Sequence, residues 1–171
     1  LLRRQMKSDF RKPLIVFTPK SLLRHPAATS SLDEFSKGSF QEVIDDTIDK
    51  KNVTKLVFCT GKFYYDLLAE RSSLERNDVA LVRIEQLFPL HLEKLQQVID
   101  SYPNVKKYVW AQEEPENMGA WQYMAMRMRD KNLIGVTRPP SAAAAEGSKE
   151  LHLKRLAGLW KNLFQFASVK A

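Results

Sequence analysis

The amino-acid sequence predicts a single α/β domain with a mostly parallel sheet of about five strands between helices. Apolar runs of strand length alternate along the chain with segments of helical periodicity, and the connections between them are short. This alternation is typical of parallel sheets that are covered by helices on both faces. The chain has 171 residues, 44% of them hydrophobic, which is sufficient for one full core.

Five apolar runs are the predicted strands. They are residues 13–18 ("PLIVFT"), 53–60 ("VTKLVFCT"), 78–87, 105–114 and 133–139. The long stretch between the first two, residues 19–51, reads mainly as loop, with a short helix or strand around residues 39–45.

Four helices are predicted between and after these strands. Residues 62–71 and 119–131 have apolar side chains at helical spacing, and the helix over residues 92–102 is stopped by Pro103. A last helix presents Leu156, Leu159 and Leu163 on its apolar face. It follows a linker of small residues, "SAAAAEGSK" (141–149).

Composition excludes several classes of protein. The single cysteine, Cys59, lies inside an apolar strand, so an internal disulfide is impossible and we expect a small core residue in a reducing, intracellular compartment. The net charge of +7 is spread along the chain, without an Arg/Gly-rich tail, and we expect no nucleic-acid binding. No apolar run approaches the roughly 20 residues of a membrane span. Because the sequence starts with Leu1, we expect part of a longer chain, with residues 1–12 as a linker from an upstream domain.

Cationic residues follow four of the five predicted strands. In an open parallel sheet, ligands bind beyond the carboxyl ends of the strands. The polar residues at these ends are Thr18 and Lys20, Thr60 and Lys62, Arg83, Gln112 to Glu114, and Thr137 with Arg138.

The stretch "CTGK" (59–62) is the most suggestive of these strand ends. Gly61 permits a sharp turn from strand to helix, and the first amides of the helix would face an anion. It is not a Walker A loop, because the upstream glycine and its spacing are absent. Either Thr60 caps the helix and Lys62 is solvated, or the two join Lys20 and Arg138 in a phosphate-sized site.

Catalytic sets are weak in this sequence. The histidines His25, His91 and His152 stand in unrelated contexts, and the last two are expected to be exposed. Glu113 and Glu114 are adjacent in a strand, so they point to opposite faces and are a poor acid–base pair. From the residues alone, the prediction is an intracellular α/β domain whose sheet edge favours anions.

Five stretches together resemble one family. They are "LLRRQ", "RKPLIVFTPKSLLRHPAA", "CTGKFYYDLL", "DVALVRIEQLFPL" and "WAQEEPENMGAW", in that order. From Leu1 to about Leu163, the chain is similar to the C-terminal domain of the 2-oxoglutarate dehydrogenase component of the 2-oxoglutarate dehydrogenase complex, a thiamine-dependent decarboxylase.

The resemblance implies a transketolase C-terminal-like fold and a homodimeric parent enzyme in the bacterial cytoplasm or the mitochondrial matrix. That parent would bind thiamine diphosphate and Mg²⁺, decarboxylate 2-oxoglutarate in the tricarboxylic acid cycle, and pass the succinyl group to the lipoyl arm of the succinyltransferase. The cofactor sites of the family lie in upstream domains, so this chain alone is expected to be catalytically silent.

The family also implies an effector for the basic sheet edge, since acetyl-CoA or AMP binds the C-terminal domain of some members. The matching positions, together with Lys20 from the strand-end argument, are Arg3, Arg4, Thr18, Lys20, Thr60, Lys62, Arg83 and Arg138. Thr60 departs from the usual serine but keeps a hydroxyl. Arg24 and His25 are expected in a loop, either solvated or near a dimer or domain interface.

Two functions therefore stay open. One is a regulatory and dimerising domain with a nucleotide-sized anion at the strand ends. The other is a structural interface domain whose basic edge meets an acidic partner. A free-standing nucleotide-binding protein is a more distant third reading.

Overall fold

A five-stranded sheet forms the centre of the computed structural model, which describes residues 1–165. The strands are β1 (Val43–Ile44), β2 (Lys55–Cys59), β3 (Val79–Ile84), β4 (Lys107–Pro115) and β5 (Ile134–Arg138). The helices are α1 (Leu2–Lys7), α2 (Leu32–Lys37), α3 (Phe63–Ser73), α4 (Leu92–Asp100), α5 (Trp121–Arg127) and α6 (Lys149–Trp160), the last of which runs into a π-helical turn, Lys161–Gln165. Short 3₁₀ turns occupy Lys20–Leu22, Pro26–Ala28, Lys50–Asn52 and Arg129–Lys131.

The strand order across the sheet is β1-β3-β2-β4-β5. The pairs β2–β3, β2–β4 and β4–β5 are parallel, and only the short β1 runs antiparallel, beside β3. The predicted α/β class and the mostly parallel sheet are confirmed, and the architecture is consistent with a transketolase C-terminal-like fold.

The sheet is buried on both faces. Alternate residues of β2 show this, because Leu56 and Phe58 join the core under α4 and α5, whereas Val57 and Cys59 join the core under α3 and α6. All five residues of β2 are buried. The continuous apolar composition of the run follows from this two-sided burial.

The predicted first strand is wrong. Residues 13–18 are outside regular secondary structure, and the fifth strand is instead β1, within the stretch for which the sequence predicted a short helix or strand. The run is apolar, but no strand within residues 1–165 pairs with it. Thr18 and Lys20 therefore do not stand at a strand end of this sheet.

Two carboxylates hold the segment after β1 against the domain. Asp46 accepts hydrogen bonds from the backbone N–H of Leu81 (2.7 Å) and from the Arg71 guanidinium. The Tyr102 hydroxyl donates to Asp45 at 2.6 Å. These contacts fix the segment at the sheet edge, although β1 itself has only two residues.

The other predicted strands and helices are confirmed to within a few residues at their ends. The expected core faces are also present, with Met124 and Met128 buried on one side of the sheet and Leu159, Leu163 and Phe164 on the other. Within residues 1–165, no helix has the length and apolar composition that crossing a membrane requires.

Candidate functional site

The carboxyl ends of β2 and β3 bring Thr60, Lys62 and Arg83 together. Cys59, the last residue of β2, is the register partner of Arg83 in β3. Thr60 and Lys62 follow β2 directly, on either side of Gly61. The sequence prediction that these three residues share one edge of the sheet agrees with this register.

Gly61 makes the turn from β2 into α3. Its φ is +58°, in the left-handed region that glycine adopts readily, and nothing lies within 4 Å of the position a Cβ would take. Thr60 is half-buried, and its hydroxyl has no hydrogen-bond partner within residues 1–165. The turn therefore leaves a hydroxyl and the start of an 11-residue helix facing the same edge.

Lys62 is held between two carboxylates. Its Nζ lies 2.7 Å from Asp66 Oδ2 and 3.3 Å from Glu113 Oε2. Glu113 lies in the neighbouring strand β4. Burial lowers the pKa of Lys62, but the hydrogen bond to Asp66 and the charge of Glu113 outweigh it, so the pKa is raised. Lys62 is therefore a permanently charged group, and an incoming anion would compete with Glu113 for it.

Arg83 lies against two aromatic rings. Its guanidinium carbon is 4.6 Å from the ring centroid of Tyr64 and 5.6 Å from that of Tyr65, a cation–π arrangement. Its Nε donates to Glu85 Oε1 at 3.0 Å. Burial raises the pKa of Tyr64, so the ring next to Arg83 stays a neutral phenol.

Arg138 does not join Thr60, Lys62 and Arg83 but forms a separate contact with the linker of small residues. It is only 5% exposed, its Nε donates to the Glu113 carbonyl (2.5 Å), and its Nη2 donates to the Ala144 carbonyl (2.7 Å). Its Nη1 donates to Glu146. Its hydrogen bonds therefore fasten the linker of small residues to β4 and β5.

Glu146 is shared by several cations. Besides Arg138, it accepts from Arg155 Nη1 at 2.9 Å, and His152 Nδ1 lies 3.5 Å away. Burial raises the pKa of Glu146, but the hydrogen bonds from Arg155 and Arg138 outweigh it and lower the pKa to about 2. A cavity of about 390 Å³ adjoins this group, with carboxylates and cations both in its wall: Glu113, Glu114, Arg138, Lys149 and His152.

Thr18 and Lys20 stand apart from these groups. Both are exposed, and neither makes a side-chain hydrogen bond or ion pair within residues 1–165. The loop that contains them reaches the carboxyl edge through His25 instead, whose ring centroid is 5.1 Å from that of Tyr65. His25 also accepts a hydrogen bond from the Ala27 amide.

Arg3 and Arg4 line a cavity of about 890 Å³ between α1 and the β1 edge. Arg3 donates to the carbonyls of Ser36 (3.1 Å) and Gly38 (2.8 Å), and Arg4 lies 4.6 Å from the Phe40 ring centroid. Glu85, the partner of Arg83, lines the same cavity. The predicted effector residues thus fall into four places: the β2–β3 ends, the Arg138 contact, the α1 cavity and the exposed loop with Thr18 and Lys20.

Gln112 has a role that the sequence did not predict. Its Oε1 accepts from Trp110 Nε1 (2.8 Å) and the Trp121 amide (2.9 Å), and its Nε2 donates to the Met118 carbonyl (2.7 Å). It holds the turn between β4 and α5. The sequence indicated only that Gln112 is a polar residue near the end of an apolar strand. That position does not distinguish an amide with a structural role from one that binds a ligand.

Thiol and metal-binding groups add no further candidate site within residues 1–165. Cys59 is buried and its pKa is raised to about 12 by desolvation, so its thiol is unreactive at neutral pH. In the part of the chain from Leu1 to Gln165, no group of three His, Cys, Asp or Glu side chains could hold a metal ion.

Comparison with known proteins identifies the family. The family described as "2-oxoglutarate dehydrogenase C-terminal" matches residues 29–164. The 2-oxoglutarate dehydrogenase E1 component of Haemophilus influenzae is 44% identical over an alignment of 173 positions, which covers 97% of this chain and 18% of that protein. The corresponding protein of Azotobacter vinelandii is 44% identical over an alignment of 174 positions, which covers 96% of this chain and 18% of that protein.

E1 components of 2-oxoadipate dehydrogenase complexes are similar to this chain to about the same degree. The 2-oxoadipate dehydrogenase complex component E1 of Mus musculus is 47% identical over 159 residues, 89% of this chain and 17% of that protein. The chain therefore spans less than a fifth of the length of these relatives. By its sequence, it belongs to the 2-oxoglutarate dehydrogenase C-terminal family.

Proposed function

We propose that this chain is the C-terminal regulatory and interface domain of a 2-oxo acid dehydrogenase E1 component, an oxidoreductase. The parent enzyme decarboxylates 2-oxoglutarate and transfers the succinyl group to the lipoyl arm of a succinyltransferase. The relatives, each more than five times longer than the aligned chain, support this assignment.

Exposed apolar side chains near the N-terminus carry the interface part of the proposal. Soluble monomers rarely expose large apolar patches without a functional reason. We call this set the N-terminal apolar face; its members in residues 1–35 are Leu1, Leu2, Met6, Phe10, Ile15, Val16, Phe17, Leu23, Leu32 and Phe35.

A proteolysis experiment on the full-length enzyme tests the interface. Residues 1–24 contain six trypsin sites, at Arg3, Arg4, Lys7, Arg11, Lys20 and Arg24, since Lys12 precedes Pro13 and its bond is not cleaved. If the N-terminal apolar face is covered, these sites resist trypsin in the native enzyme, whereas exposed sites elsewhere, such as Lys154 on α6, are cut. Rapid cleavage throughout residues 1–24 in an active enzyme would contradict the proposal.

Thiamine diphosphate and Mg²⁺ belong to other parts of the parent enzyme in this proposal. Bound thiamine diphosphate supplies the nucleophilic carbon and electron sink for decarboxylation. Since residues 1–165 contain no group of side chains suited to Mg²⁺, no step of the reaction is assigned to this chain.

The regulatory part rests on Thr60, Lys62 and Arg83. These residues offer a hydroxyl, two cations and the Tyr64 and Tyr65 rings at one sheet edge, which suits a nucleotide-like anion such as acetyl-CoA or AMP. Because carboxylates now occupy Lys62 and Arg83, the effector would have to displace them. If it cannot, the domain is a structural interface without an effector site.

The parent substrate has a second candidate, 2-oxoadipate. The observation that favours it is the 47% identity to E1 components of 2-oxoadipate dehydrogenase complexes. Steady-state rates of the full-length enzyme with 2-oxoglutarate and 2-oxoadipate decide between them. A higher kcat/KM for 2-oxoglutarate supports the first assignment, and the reverse order supports the second.

A further inference from the structure

Residues 14–17 lie outside regular secondary structure and have no strand partner within residues 1–165. Ile15, Val16 and Phe17 are 76%, 57% and 94% exposed. No backbone hydrogen bond joins residues 13–18 to another residue of the described range 1–165. We call Leu14 to Phe17 the apolar segment.

The composition of the apolar segment indicates burial on two faces. In an extended strand, Leu14 and Val16 point to one side and Ile15 and Phe17 to the other. A strand with one exposed face alternates apolar and polar residues, whereas a continuous apolar run is typical of an interior parallel strand. The run "LVFC" of β2 has the same pattern, and its side chains do fill both cores.

Proline and charge define the ends of the apolar segment. Pro13 precedes it and Pro19 follows one residue after it, and proline is tolerated at the ends of strands but not within them. Arg11, Lys12 and Lys20 lie just outside. Such flanking charges are typical of natural strands that must not pair with the wrong partner.

We propose that residues 14–18 form an interior strand in the sheet of a neighbouring α/β domain of the same parent chain. The domain is thus joined to its neighbour by a shared β-sheet and not by side-chain packing alone. This inference rests on the proposed function, because it needs the longer enzyme. The five-stranded sheet of this domain forms without the apolar segment. The relatives have more than four-fifths of their length outside the aligned region, which leaves room for a neighbouring domain.

The apolar segment requires a sheet that is covered by helices on both faces. Docking of the segment into a one-sided groove would bury either Ile15 and Phe17 or Leu14 and Val16, but not both pairs. A sheet between two helix layers buries all four and pairs every N–H and C=O of the strand.

Hydrogen–deuterium exchange of the full-length enzyme tests the inference. The amides of residues 14–18 are expected to exchange at least about 100-fold more slowly than an unstructured peptide, and more slowly than those of residues 9–12. Protection of residues 1–7 without residues 14–18 would overturn the shared strand while leaving the interface intact. Unprotected amides in both regions would overturn the interface as well.

Two substitutions at one position separate backbone pairing from side-chain docking. Val16→Pro removes an N–H from the strand, whereas Val16→Thr keeps the N–H and the β-branched shape and replaces one methyl group with a hydroxyl. The shared strand predicts that Val16→Pro abolishes protection of the neighbouring amides and that Val16→Thr largely retains it. Equal effects of the two would contradict backbone pairing, and the wild-type exchange pattern remains decisive if Val16→Pro does not fold.

Dilution identifies the chain that supplies the acceptor sheet. The slow exchange of residues 14–18 should persist when the enzyme is diluted to monomers, as followed by sedimentation. Loss of protection together with dissociation would place the acceptor in a second copy and overturn the assignment to the same chain.

Discussion

Arg138 and Glu146 form a buried ion pair that fastens the small-residue linker to the edge strand β5. Their side chains are 6% and 3% exposed. Arg155 of α6 donates to the same carboxylate. One acidic side chain therefore connects the end of β5, the linker and the last helix.

Replacing Glu146 with Gln should destabilise the domain at neutral pH. The substitution keeps the shape but removes the charge that neutralises buried Arg138. Since the pKa of Glu146 is lowered from 4.5 to about 2, its stabilising contribution is present above about pH 4.5 and is lost as the pH falls towards 2. Urea unfolding, followed by tryptophan fluorescence at several pH values, measures the difference between wild type and variant.

Glu150→Gln is the matched control, since Glu150 is exposed near the start of α6 and outside this contact. It should change stability little at any pH. A Glu146→Gln effect that stays constant from pH 7 down to pH 2 would contradict the ion-pair explanation.

Removing the carboxylate that competes for Lys62 should strengthen effector binding. Glu113 and Lys62 are both about one-third exposed, and exposed pairs contribute about 0.2–1 kcal/mol. Glu113→Gln is therefore expected to tighten acetyl-CoA or AMP binding to the full-length enzyme by about 1.5-fold to fivefold. Glu114→Gln, the exposed neighbour on the same strand, is the control. Weaker binding by Glu113→Gln, as measured by calorimetry, would show that Glu113 contacts the effector favourably.

Gly119→Ala should destabilise the turn that Gln112 holds. The φ of Gly119 is +66°, and an added Cβ would lie 2.9 Å from the Gln112 side-chain amide. The expected cost is about 1–3 kcal/mol.

Gly158→Ala makes the same chemical change but should raise the stability of the domain instead of lowering it. Gly158 lies inside α6, with nothing within 4 Å of the new Cβ. Alanine should stabilise the helix by about 0.5–1 kcal/mol. Thermal unfolding of both variants checks the pair, and a neutral Gly119→Ala would show that the Gln112 contacts rearrange without loss.

Asp46→Ala should be far more costly than removal of a surface carboxylate. The side chains of Asp46 and Arg71 are 4% and 11% exposed, and Asp46 also accepts from the Leu81 amide. Leaving one member of a buried pair alone costs about 3–5 kcal/mol. Asp33→Ala breaks an exposed pair with Lys37 and should cost less than about 1 kcal/mol. Similar urea midpoints for the two variants would contradict the structural role of Asp46.

The sequence predicted β2 to β5 because each run is apolar and is bounded by turns or helical periodicity. It failed at residues 13–18 for a physical reason: local composition indicates that a run is β-prone, but not whether any strand is placed to pair with it. The two-residue β1 has almost no pattern of its own, and tertiary contacts of Asp45 and Asp46 hold the segment after it in place.

The site was predictable in part. Strand-end logic located Thr60, Lys62 and Arg83, because parallel strands end at a common edge. Asp66 could have been paired with Lys62 from their i, i+4 spacing. Glu146 could not, since its contact with Arg138 depends on the path of an irregular linker that no periodicity encodes.

Calorimetric titration of the full-length enzyme with acetyl-CoA and with AMP tests most directly whether the β2–β3 ends form an effector site. We expect saturable binding of at least one of them. Lys62→Ala should weaken it by about 1–3 kcal/mol, roughly 5- to 150-fold, whereas Lys20→Ala, which lies away from the edge, should leave it unchanged. Absence of binding to the folded enzyme, or binding that Lys62→Ala does not alter, would contradict the account and leave the domain as an interface alone.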